Sequence, residues 1–227
     1  EMNAETIILC NKEDCARVEA VADALTRTVK RERWIRLDAN GAWDVDQAVT
    51  AIHELERAAG DVPIEYVEQP CATADELYEL HRLIDVPIAA DESIRRAPNP
   101  VAAARMSGAQ VAVIKIAPLG GPERALRIAR DTGLRVVVSS ALETSVGLAA
   151  GVRTAAALPG RALACGLATA TLLAADVTAP LEVSGGRIHV ATRSPDPELI
   201  DHSPVDGDLL SKWLARLMAC APHILDR

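Results

Sequence analysis

The 227-residue sequence predicts a parallel α/β fold, a TIM-like (β/α)7β barrel, from three observations. First, short apolar runs alternate with segments of helical periodicity. Four of these runs end in succession on Asp38, Glu68, Asp91 and Lys115, at steps of 30, 23 and 24 residues. Each step is the length of one strand–helix–strand unit. Second, the runs are continuously apolar and do not alternate, which indicates burial on both faces and so a parallel sheet. Third, no glycine-rich dinucleotide loop follows the first run, which argues against an open doubly wound sheet.

The elements follow in order. Residues 6–10 (T-I-I-L-C) read as a strand, and 12–28 as a helix with apolar positions at Ala16, Val18, Val21, Ala22 and Leu25. Residues 34–37 form the next strand, which stops at Asp38. Residues 44–59 are a helix with Asp44 as N-cap and Gly60 just past the end. Strand 64–67, helix 73–83, strand 86–90, helix 98–106, strand 111–114, helix 121–132 and strand 135–138 continue the alternation. An alanine-rich helix at 145–158 and a last strand at 162–165 complete seven strands and six helices. After Thr178 the pattern changes: 181–190 reads as a hairpin turning at Gly185-Gly186, 195–207 as irregular, and 208–221 as a helix. The expected organisation is a barrel domain over 1–180, incomplete on its N-terminal side, with a small extension over 181–227 packing on it.

Composition narrows the function classes. Hydrophobic content of 49% suffices for one large core. The net charge of −8 gives no support for nucleic-acid or anionic-membrane partners, and no apolar run reaches the length of a membrane span. The five cysteines (Cys10, Cys15, Cys71, Cys165 and Cys220) form no CxxC pair and fit reduced thiols in the cytoplasm. His53, His81, His189, His202 and His223 lack metal-ligand spacing and read as structural.

In a parallel barrel the C-terminal strand ends share one mouth. Asp38, Glu68, Asp91 and Lys115 therefore form one ring there. A lone acid at a strand end is most simply a helix cap or a solvated loop residue, but three acids and a lysine at barrel spacing point to a site. Hard oxygen donors without His or Cys suit Mg²⁺, with Mn²⁺ as the alternative. Such an ion could bind a small-molecule carboxylate and neutralise charge as a proton leaves the adjacent carbon. Lys115 would act as base or stay cationic to stabilise an enolate. Asn40 and Gln69 read equally as hydrogen-bond partners of the ligands and as turn residues. Ser139, Ser140 and Gly166 could receive an anionic substrate group at the last two strand ends; ordinary turn roles fit their spacing as well. Glu92 is either an outer acid of the site or a solvated one.

At these residues a family resemblance emerges. R-L-D-A-N-G-A-W, Y-V-E-Q-P, I-A-A-D-E-S-I-R, V-I-K-I-A-P-L-G-G and V-V-V-S-S-A-L-E-T-S-V-G resemble the barrel domain of the enolase superfamily, muconate-lactonizing subgroup. E-Q-P-C-A-T, A-P-L-G-G and A-C-G-L-A-T bring the chain nearest the o-succinylbenzoate synthases. The resemblance covers residues 6 to 190. It implies Mg²⁺ on Asp38, Glu68 and Asp91, with Lys115 as one of two catalytic lysines. The implied reaction is syn dehydration of a succinyl-hydroxycyclohexadiene carboxylate to o-succinylbenzoate, a step of menaquinone biosynthesis.

Two departures qualify what is implied. The family carries its other lysine in a K-x-K pair on the strand before Asp38, and here Ile8 and Cys10 take those positions, with Lys12 two residues beyond. No N-terminal capping domain or first barrel strand is visible, and Glu1 precedes Met2, so a missing upstream segment is expected. An open sheet edge makes homo-oligomerisation, aggregation or low thermal stability the expected consequence. The alternatives are a dipeptide epimerase or N-acylamino acid racemase of the same subgroup and a non-catalytic barrel remnant. An epimerase needs bases on both faces of its substrate, so the absent K-x-K pair counts against it.

Overall fold

A computed structural model describes residues 3–8, 13–30, 32–159, 163–202 and 205–225. Six strands, β1 (Asn3–Ile8), β2 (Arg33–Asp38), β3 (Ile64–Glu68), β4 (Ile88–Ala90), β5 (Val111–Lys115) and β6 (Arg135–Ser139), form one sheet in sequence order. Every neighbouring pair is parallel. The crossovers are α1 (Asp14–Thr28), α2 (Val45–Ala59), α3 (Ala74–His81), the pair α4 (Glu92–Arg95) and α5 (Pro100–Met106), and α6 (Pro122–Thr132). Helix α7 (Ser145–Ala156) follows β6. The result is a curled parallel α/β sheet, consistent with an incomplete TIM-like barrel.

Local chemistry explains the boundaries. Asp44 caps α2 as expected: its carboxylate accepts from the Gln47 N–H at 2.8 Å, while the Gln47 side chain returns to the Asp44 N–H. Thr73 and Glu76 repeat this capping box on α3. Four-residue α4 was absent from the sequence reading, which has no turn of periodicity to detect in so short a helix. The expected strand over 162–165 also needs correction. Ala162 lies outside the described residues, and among the described residues 163–165 join no ladder, while Gly166 bridges to Ser139. One reason is that the Ala164 carbonyl accepts from Arg36 Nη1 at 2.6 Å and is not paired with a strand.

Side-chain parity separates two layers. Leu37, Val67, Ala90, Ile114 and Val138 are buried with Val18, Ile52, Leu77 and Leu148 of the surrounding helices. Tyr66, Ala89, Val111, Val113 and Val137 form a second apolar cluster with Leu163. Successive residues of a strand face opposite sides, so the second cluster is the inner face of the curl. Two residues further along each strand, the same parity places Asp38, Glu68, Asp91, Lys115 and Ser139 on that inner face, at its C-terminal rim.

Beyond α7, the hairpin expected over 181–190 is present as β7 (Val183–Ser184) and β8 (Arg187–Ile188). The region expected to be irregular contains the short α8 (Pro197–Asp201). Helix α9 (Gly207–Leu225) follows, and Leu209, Leu210, Trp213, Leu214, Leu217 and Met218 on it are exposed. Among the described residues, no helix is long and apolar enough to cross a membrane.

Candidate active site

The register of the sheet assembles the rim. Ile8 pairs with Asp38, Asp38 with Glu68, and Lys115 with Ser139. Backbone bonds continue the order, from the Ala39 N–H to the Glu68 carbonyl at 3.1 Å and from the Gln69 N–H to the Ala89 carbonyl at 2.8 Å. Two residues just past the strand-end acids Asp38 and Glu68 adopt left-handed backbone, Asn40 at φ 49° and Gln69 at φ 37°. Such strain in non-glycine residues persists where the surroundings hold it, often at functional sites.

Each has an identifiable partner. The Asn40 N–H donates to Asp38 Oδ1 at 2.9 Å, which fixes that carboxylate. Gln69 is fully buried. Its Oε1 accepts from the Asp91 N–H at 2.9 Å, the Ser93 N–H at 3.2 Å and Ser93 Oγ at 3.1 Å, and its Nε2 donates to the Cys71 carbonyl at 2.8 Å. One amide therefore ties the end of β3 to the end of β4. Both residues contact the strand-end acids' segments: the Asn40 main chain makes a local turn onto the Asp38 carboxylate, and the Gln69 side chain holds the main chain of the next strand end.

Asp91 is the hub of the charges. Its Oδ2 accepts from Lys115 Nζ at 2.5 Å and its Oδ1 from Arg95 Nε at 3.1 Å; the side chain is only 2% exposed. Arg95 Nη2 also donates to Glu92 Oε1 at 2.5 Å. In this arrangement no three His, Cys, Asp or Glu side chains among the described residues converge closely enough to enclose an ion.

The donor set nevertheless fits a divalent cation on three grounds. Asp38, Glu68, Asp91 and Glu92, when ionised, carry four negative charges against two on Lys115 and Arg95, a deficit of two. Burial first, then the neighbouring acids, push Glu68 up to about 8. Burial, followed by Glu92 and Asp91, raises Asp38 to about 6, against the lowering effect of its bond from Asn40. Lastly, Glu92 Oε2 is buried with no hydrogen-bond partner among the described residues. Crowded, desolvated carboxylates of this kind are what a hard cation relieves. Asp38, Glu68 and Asp91 are the residues that would hold it.

On the far side of the rim, the Ser140 N–H donates to the Gly166 carbonyl at 2.9 Å and the Gly166 N–H to the Val138 carbonyl at 3.0 Å. A Cβ at Gly166 would lie 3.0 Å from Ser139 Oγ, so the glycine keeps that corner open. Ser140 Oγ is shared with Thr169 Oγ1 at 2.6 Å and accepts from the Leu142 N–H at 2.9 Å. Ser139, Ser140 and Gly166 thus lie together, one strand beyond Lys115. Sequence reading missed Arg95, whose signal was an Arg four residues after a strand-end Asp on a helical turn. Of the K-x-K positions, Ile8 ends β1 beside Asp38, while Cys10 and Lys12 lie outside the described residues.

Comparison with known proteins agrees with the fold. The family described as "Enolase C-terminal domain-like" matches residues 10–195. The chain is 53% identical over 207 residues to an o-succinylbenzoate synthase of Thermobifida fusca, covering 91% of this chain and 62% of the relative. It is 46% identical over 214 residues to the o-succinylbenzoate synthase of Mycobacterium ulcerans, covering 94% of this chain and 62% of the relative. The chain therefore spans about three-fifths of the length of the curated relatives it matches. Among solved structures, muconate cycloisomerase from Pseudomonas fluorescens superposes with a TM-score of 0.75 at 27% identity, over 88% of this chain and 57% of that one. The L-Ala-D/L-Glu epimerase from Bacillus subtilis gives 0.65 at 25% identity, over 85% of this chain and 61% of that one.

Proposed function

Because the chain belongs to the enolase C-terminal domain-like family, we propose that it carries the barrel site of an o-succinylbenzoate synthase-like lyase. The reaction is the syn dehydration of a succinyl-hydroxycyclohexadiene carboxylate to o-succinylbenzoate, in menaquinone biosynthesis. The observation that carries the reading is the rim itself: three buried acids on consecutive strand ends with Lys115 on the next. Identity to named synthases supports this reaction over the epimerase and racemase readings, since the epimerase neighbour is only 25% identical.

Asp38, Glu68 and Asp91 would hold Mg²⁺, or Mn²⁺ in its place. When bound, the ion supplies positive charge to the substrate carboxylate. Lys115 Nζ, already at the rim beside Asp91, stabilises the charge that develops when the α-proton leaves. The base that takes the α-proton would return it to the departing hydroxyl on the same face, so that the C–O bond breaks and water leaves, which balances the step. Ser139, Ser140 and Gly166 receive the distal anionic group, and Asn40 keeps Asp38 oriented. The base belongs on the face opposite Lys115, where the family uses K-x-K and this chain has Ile8 and Cys10.

The finer architecture belongs to the same proposal: a (β/α)7β barrel over 1–180 with 181–227 as an extension. Leu181 supports the packing of that extension at its start; it is buried, and its N–H donates to Ser145 Oγ at 3.1 Å. Free thiols at the four described cysteines accord with a cytoplasmic setting, and the exposed apolar residues of α9 accord with a homo-oligomer.

The test is a dehydration assay with purified chain and Mg²⁺, following the absorbance of the aromatic product. We expect slow turnover, raised by Ile8→Lys with Cys10→Lys and abolished by Lys115→Ala. Base catalysis alone is worth about 10²–10⁴-fold. Robust turnover indifferent to Lys115→Ala would overturn the proposal.

A further inference from the structure

Glu92 follows directly on Asp91 and opens α4. Its side chain is nine-tenths buried. Oε1 is taken by Arg95 Nη2 at 2.5 Å, yet Oε2 has no partner among the described residues. A buried carboxylate oxygen without a hydrogen bond costs about 1–3 kcal/mol or more, and native proteins rarely leave one unexplained. If Glu92 served only to pair with Arg95, one satisfied oxygen would suffice, and the second could have turned to solvent or to a backbone N–H.

The place of that carboxylate can be read from its partner. Arg95 donates from Nε to Asp91 Oδ1 at 3.1 Å and from Nη2 to Glu92 Oε1 at 2.5 Å, so one guanidinium holds the Glu92 carboxylate beside that of Asp91 at the rim. Oε2 is the buried oxygen that this grip leaves over.

We infer that Glu92 is the fourth acid of the metal centre, its Oε2 accepting a hydrogen bond from a water in the shell of the ion that Asp38, Glu68 and Asp91 would hold. This rests on the metal reading above. The ligand class is a hydrated, oxygen-preferring divalent cation, which keeps several of its waters when protein-bound. Glu92 acts through that water, and Arg95 fixes which of its oxygens is offered.

Arg95 also makes the substitution decisive. In Glu92→Gln the guanidinium, which can only donate, takes the amide oxygen. The amide NH₂ is then forced into the Oε2 position, and a donor replaces the acceptor facing the ion. Calorimetric titration of the full chain with Mg²⁺ should show the wild type binding one ion and Glu92→Gln binding it 10–100-fold more weakly, the usual loss for an outer-shell partner. Circular dichroism checks that the variant is folded. If it is not, Glu92→Asp keeps the charge but withdraws the oxygen by one methylene, and its affinity should also fall. A wild type that binds no Mg²⁺ overturns the metal reading and this inference together. A wild type that binds, with the folded variant binding equally well, overturns the inference alone and leaves Glu92 as a structural partner of Arg95.

Discussion

The inner face of the sheet carries two buried charge clusters, one rung apart on the same strands. At the rim, Asp38, Glu68, Asp91 and Glu92 face Lys115 and Arg95. Below them, Arg36 donates from Nε to Glu65 Oε2 at 2.7 Å and from Nη1 to the Ala164 carbonyl at 2.6 Å, and its guanidinium lies 4.8 Å from the Tyr66 ring centroid. A register shift between Ile35 and Arg36 leaves Glu65 as the extra residue of β3, free to meet Arg36. The lower cluster is electrically neutral and is spent on holding β2 to β3 and to the last segment of the curl. The upper cluster lacks two positive charges when its four carboxylates are ionised; an unpartnered buried polar atom occurs in both clusters, Glu92 Oε2 above and Arg36 Nη2 below, among the described residues. Burial alone does not distinguish structure from site here, since both clusters are buried. The distinguishing feature is whether the protein supplies the compensating charge itself.

Breaking the lower cluster should give the largest effect on stability. Arg36→Ala strands the Glu65 carboxylate in the interior, and removing one partner of a buried pair costs about 3–5 kcal/mol. Urea unfolding should register this loss with Mg²⁺ present or absent. Replacing both partners, as Arg36→Met with Glu65→Met, should recover much of it, because neither charge is then left uncompensated. An Arg36→Ala protein as stable as the wild type would dissolve the contrast between the two clusters.

The upper cluster should respond in the opposite sense. Asp38 and Glu68 rise from ordinary values of 3.8 and 4.5 to about 6 and about 8. Their folded values exceed the unfolded ones, so their stabilising contribution is complete below about pH 4 and is lost as pH climbs through 6 and 8. Metal-free protein should therefore lose stability between pH 5 and 8. Saturating Mg²⁺ should restore more of the stability the higher the pH. Glu68→Gln should flatten the pH profile of the metal-free protein and greatly weaken Mg²⁺ binding. Melting curves across that pH range, with and without chelator, check the sign; stability that rises with pH would refute it.

How much of this was legible in the sequence depends on the range of the forces involved. The four rim residues were visible because each ends an apolar run, and a run ends where the strand leaves the core. Their common face was not visible, since strands buried on both sides show no alternation to reveal parity. Asp44 and Gly60 were read correctly because capping is local. The Arg36–Glu65 pair was missed because it depends on a bulge. The strand expected at 162–165 failed because the Ala164 carbonyl is claimed by Arg36, 128 residues away. Local chemistry was readable, then, and cross-strand claims on backbone groups were not.

The smallest of these effects should come from Gln69, which belongs to the rim but carries no charge. Its amide makes four hydrogen bonds, three accepted by Oε1 from Asp91 and Ser93 and one donated to the Cys71 carbonyl. All of them fall on the loops that present Glu68 and Asp91. Gln69→Ala removes the acceptor for the buried Asp91 N–H and leaves the Cys71 carbonyl without its donor, a loss of about 1–3 kcal/mol. Gln69→Glu keeps the acceptor but loses the donor, and it adds a negative charge to a cluster already in deficit. It should therefore also cost stability at pH 8 and recover some of it when Mg²⁺ is bound. If Gln69 positions the ligands and does more than fill space, Gln69→Ala should also weaken Mg²⁺ binding about 10-fold or more, whereas the Arg36 and Glu65 double variant leaves that affinity near wild type. Titration calorimetry on the two proteins side by side makes the comparison. Gln69→Ala with reduced stability but unaltered Mg²⁺ affinity would assign this residue to the structural cluster and move the boundary between the two regions up to the carboxylates themselves.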